Sequence, residues 1–75
     1  MSFSESDLTM VDQRVAQARE RLERQRDIIQ KLASGGGDTL TAETLFRAMR
    51  RTLESFEEDR RAIEDEMFAA KANRS

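Results

Sequence analysis

Ser34-Gly35-Gly36-Gly37-Asp38 is the one stretch of this 75-residue chain that reads as a loop. Each of three successive glycines would cost about 1 kcal/mol relative to alanine inside a helix. The chain breaks there, and no proline marks a second break.

Outward from the glycines, both arms carry the same hydrophobic period. Leu8, Val11, Val15, Ala18, Leu22, Gln25, Ile29 and Leu32 follow alternating spacings of three and four, as do Phe46, Met49, Leu53, Phe56, Arg60, Ile63, Met67 and Ala70. This is the repeat of a helix packed along a narrow seam. One polar residue interrupts each seam, Gln25 in the first and Arg60 in the second. A single polar seam residue commonly sets register. No strand pattern occurs.

Helix-end chemistry agrees with the period. Ser4 is an N-cap with Asp7 placed to return the hydrogen bond, and Phe3 and Leu8 occupy staple positions. Thr41 is expected to cap the second helix, with Leu40 and Leu45 as its staple and Glu43 in its first turn. Lys31 near the first C-terminus, and Lys71 and Arg74 near the second, oppose the negative helix end. Gly35 is the expected left-handed terminator. The chain thus reads as one all-α domain over residues 1–75, an antiparallel coiled-coil-like hairpin. Its parts are a helix over about 4–34, a Gly-rich loop over 35–40 and a helix over about 41–72.

A short loop returns the second helix antiparallel to the first. Pairing Leu32 with Phe46 then sets Leu22 against Phe56, Val15 against Ile63, and Ala18 against Arg60, whose stem needs a small neighbour. Charges suit that pairing. Residues 13–26 hold five Arg against two Glu, while residues 54–66 hold seven acids against two Arg. Expected cross-helix pairs are Arg14–Glu66, Arg21–Asp59, Arg19–Glu64 and Arg26–Glu57, which select register more than they stabilise.

Composition excludes several functions. Without Cys or His the chain has no disulfide and no thiolate or imidazole for metal binding or catalysis, so neither a metal nor a cofactor is expected. No nucleophile stands beside a base, and no enzyme is expected. Thirteen basic residues against fifteen acidic ones give a net charge of -2, unfavourable for binding nucleic acid. The glycines lack the Gly-Lys-Ser/Thr continuation of a phosphate loop. Residues 1–20 hold no apolar run and nothing approaches the length of a membrane span, so a cytoplasmic, non-membrane location is expected.

The elements Arg26-x-x-Ile29-x-x-Leu32, Gly37-Asp38-Thr39-x-x-Ala42-Glu43-x-Leu45 and Asp59-Arg60-x-x-Ile63 carry a resemblance. Over residues 15 to 67 the chain resembles a set of small uncharacterised bacterial proteins that form two helices around a Gly-x-Asp-Thr turn. The resemblance implies a bacterial cytosolic hairpin and assigns no site residues. Gly35 and Gly36 depart from the single glycine usual there.

With 37% hydrophobic residues and a mean hydropathy of -0.76, so short a hairpin is marginal alone. Self-association into a homodimeric four-helix bundle is the expected remedy. Apolar residues left over by the seams form the candidate interaction surface: Ile28, Leu40 and Leu45 toward the loop, and Phe3, Met10 and Phe68 toward the open end. The expected function is a non-enzymatic protein–protein interaction module. A small cochaperone or secretion-type hairpin shielding a partner's helix is the alternative, and a nucleic-acid-associated regulator a weaker one.

Overall fold

The computed structural model describes residues 3–72. Two helices, α1 over Glu5–Ser34 and α2 over Leu40–Ala72, pack antiparallel as a hairpin. Ser4 caps α1 in a full capping box, its side chain accepting from the Asp7 N–H while the Asp7 carboxylate accepts from the Ser4 N–H. Lys31 and Lys71 lie in the last turns of their helices, as expected. Arg74 lies outside the described residues.

The turn departs from expectation at two points. Gly36, with φ +76°, holds the left-handed position, whereas Gly35 has φ −86°. The Gly37 N–H donates to the Leu32 carbonyl at 2.8 Å and the Gly36 N–H to the Ala33 carbonyl at 3.2 Å. Those two bonds make a Schellman motif, which requires its left-handed residue one position past the helix cap. At the other side, α2 starts before Thr41. The Asp38 carboxylate accepts from the Leu40 N–H at 2.9 Å, and the Thr39 carbonyl accepts from the Glu43 N–H at 2.8 Å. An Asp carboxylate readily reaches the backbone N–H two residues on, so Asp38 and Thr39 cap the helix and Thr41 falls inside it.

Packing follows the predicted seam residues in a shifted pairing. Val15, Ala18 and Leu53 form the buried cluster, with Leu22 and Phe56 against it. Val11 and Ile63 line one groove, Leu8 and Met67 another, and Ile29 and Phe46 a third. Phe46, Phe56, Ile63 and Met67 therefore lie beside α1 residues one seam position nearer the α1 N-terminus than expected. Phe56 explains the shift: it takes the space beside small Ala18 instead of crowding Leu22. Leu32 and Ala70, expected in the end layers, are consequently exposed.

Both polar seam residues are satisfied. Gln25 is 6% exposed, and its Nε2 donates to the Ala42 carbonyl at 2.9 Å, tying α1 to the first turn of α2. Arg60 leaves the seam sideways. Its Nε–H is directed at Glu64 Oε1, and Asp12 Oδ1 lies at the same 2.8 Å, held by charge rather than by an aligned bond.

The result is a rod of 61 × 15 × 15 Å. Its radius of gyration is 17.3 Å, against about 11 Å for a compact domain of this length.

Candidate interaction surface

The two flanks of the helix–helix seam differ in chemistry. One flank is a ladder of charge. Arg19 Nη2 meets Glu57 Oε2 at 3.3 Å, Arg60 sits between Asp12 and Glu64, and Arg50 lies 3.8 Å from Glu54 within α2. The Arg26 guanidinium stands 5.8 Å from the Phe46 ring centre. These are not the expected partners: Arg19 pairs with Glu57 rather than Glu64, and Arg26 with an aromatic face rather than Glu57. The shift in pairing accounts for both. Such exposed pairs are worth about 0.2–1 kcal/mol each.

The opposite flank is a groove. Toward its middle it is lined by Arg14, Ala18, Arg21, Met49, Thr52 and Phe56. Toward the open end Phe3, Met10, Val11, Asp59, Ala62 and Ile63 continue it. Arg14, Arg21 and Asp59 enter none of the ion pairs among the described residues. The groove therefore combines half-buried apolar side chains with charges that form no ion pair among the described residues.

All six residues of the candidate surface are exposed, from Phe3 at 43% to Phe68 at 76%. Four share the groove flank. Phe3 and Met10 line it, while Ile28 lies one heptad beyond Arg21 and Leu45 one heptad before Thr52, which continues the same row along each helix. Leu40 and Phe68 stand four heptads apart on the outer side of α2. Phe68 borders an end cleft with Phe3, Leu8 and Met67. The structure thus sets Phe3 and Met10 in the groove and Phe68 beside Phe3 at the open end, with Ile28, Leu40 and Leu45 toward the loop end. It also adds Met49 and Phe56, whose bulk for a two-helix seam was the available signal in the sequence.

Among the described residues no three carboxylates converge to hold a metal ion, and no helix is long and apolar enough to cross a membrane. Glu54, Glu58, Asp59, Glu64 and Asp65 face solvent. Compared with protein-family models, with curated proteins and with solved structures, the chain matches none.

Proposed function

We propose that the chain is a non-enzymatic protein–protein interaction module whose first partner is a second copy of itself, two hairpins joining as a four-helix bundle. Exposed area carries this reading. The chain presents 6081 Å² to solvent, where a compact protein of its mass would present about 4,700 Å². The excess, roughly 1,400 Å² per chain, is more than the roughly 800 Å² that each partner contributes to a standard interface. It includes Phe46, Met49, Phe56 and Met67, which the hairpin covers only in part. Binding rather than catalysis also fits a chain without His or Cys.

Sedimentation equilibrium and thermal melts over a hundredfold range of concentration test the proposal. The expected result is a dimer mass and a Tm that rises with concentration, since association stabilises the folded state by mass action. A monomer mass with a concentration-independent melt would refute it.

A further inference from the structure

The groove flank has a tall wall and a low one. On α1 the outer row runs Met10, Gln17 and Arg24 at seven-residue spacing, with Phe3, ahead of the helix, lining the groove beside Met10, and on α2 the corresponding row runs Ala48, Ser55, Ala62 and Ala69. Met10 and Ala62 line the same stretch of groove, so the two rows stand level with each other along the rod. Arg14 and Asp59 line that stretch as well, without pairing across it. The face spans about 45 Å along α1's 30 residues and 15 Å across, roughly 700 Å² per chain. Two such faces supply an interface of standard size.

We infer that this groove is the dimer face, and that the second copy lies on it with its loop at the same end, related by a two-fold axis parallel to the helices. The inference rests on the homodimer reading and adds its surface and direction. A two-fold axis between two flat faces has two choices. Parallel to the helices, it lays α1 over the partner's α2. Met10 then falls on the partner's Ala62, Phe3 on the partner's Ala69, and Arg14 beside the partner's Asp59. Perpendicular to the helices, it lays α1 over the partner's α1 in reverse. Arg14 would then approach the partner's Arg24, tall rows would meet tall rows, and the small residues of α2 would face each other across a void. Like charges and voids oppose the second choice, whereas size and charge complement each other in the first.

Ser34→Cys, at an exposed position ending α1, takes a spin label for a distance measurement within the dimer. Loops at the same end give a separation below about 30 Å, and loops at opposite ends give more than about 40 Å, the length of a helix of this size. The expected result is the short distance, together with an interchain disulfide in Gln17→Cys/Ser55→Cys. A dimer with the long distance would overturn the direction, and a dimer without that disulfide would overturn the face; both leave the homodimer standing. A monomer mass would instead overturn the homodimer reading, and this inference with it.

Discussion

Gly35, Gly36 and Gly37 look interchangeable as letters, yet their environments separate them. Only Gly36 has a positive φ, and a side chain there is strained although nothing lies within 4 Å of where its Cβ would stand. A Cβ on Gly35 would meet the Lys31 carbonyl oxygen at an ordinary 3.5 Å, in a backbone conformation open to any residue. On Gly37 it would come to 3.3 Å of the Leu32 carbonyl oxygen. Gly36→Ala should therefore destabilise the hairpin by about 1 kcal/mol, the cost of a left-handed alanine. Gly35→Ala should stabilise it by about 0.4–1 kcal/mol, because alanine restricts the unfolded chain. Urea titrations of both variants check this, and a larger loss at Gly35 than at Gly36 would contradict the turn. That a loop lay here was legible from the run of glycines. Which glycine turns left was not, since the Schellman bonds depend on where α1 unwinds.

Between the helices, the seam residues were legible in the sequence and their pairing was not. Period identifies the residues facing inward, but eight similar layers can slide past one another by one position at little apparent cost. Phe56 decides the matter by needing the space beside Ala18. Once Ala18 is taken, Arg60 turns to Asp12 and Glu64 instead of lying along it. The expected consequence is selective crosslinking. Val11→Cys with Ile63→Cys should close a disulfide within one chain, given the Cβ separation of about 3.5–4.5 Å that such a bond requires. Val15→Cys with Ile63→Cys should close it much more slowly. Oxidation time courses under dilute conditions, read by electrophoresis, distinguish the two pairs; a faster Val15–Ile63 bridge would restore the unshifted pairing.

At the scale of the whole molecule, the rod is one-sided. Six exposed apolar residues could be named from the sequence because each falls outside a seam. That four share a flank emerged only once the helices were docked and the ion-paired charges had sorted to the other side. Arg19, Glu57, Arg60, Asp12 and Glu64 find partners within the hairpin, leaving that flank charged and internally satisfied.

A plank adhesive on one side has a limit to growth. When a two-fold partner covers that side, the exposed apolar residues left on the outer side of α2, Leu40 and Phe68, stand about 42 Å apart rather than in one patch, so the dimer proposed above terminates at two chains instead of propagating into a fibre. The paired charges are thus a brake on polymerisation. Replacing Arg19 and Glu57 together by leucine would make the second flank sticky at little cost to the hairpin, since an exposed pair contributes about 0.2–1 kcal/mol. Light scattering of Arg19→Leu/Glu57→Leu should then show mass climbing with concentration past any fixed value, where the natural chain levels off.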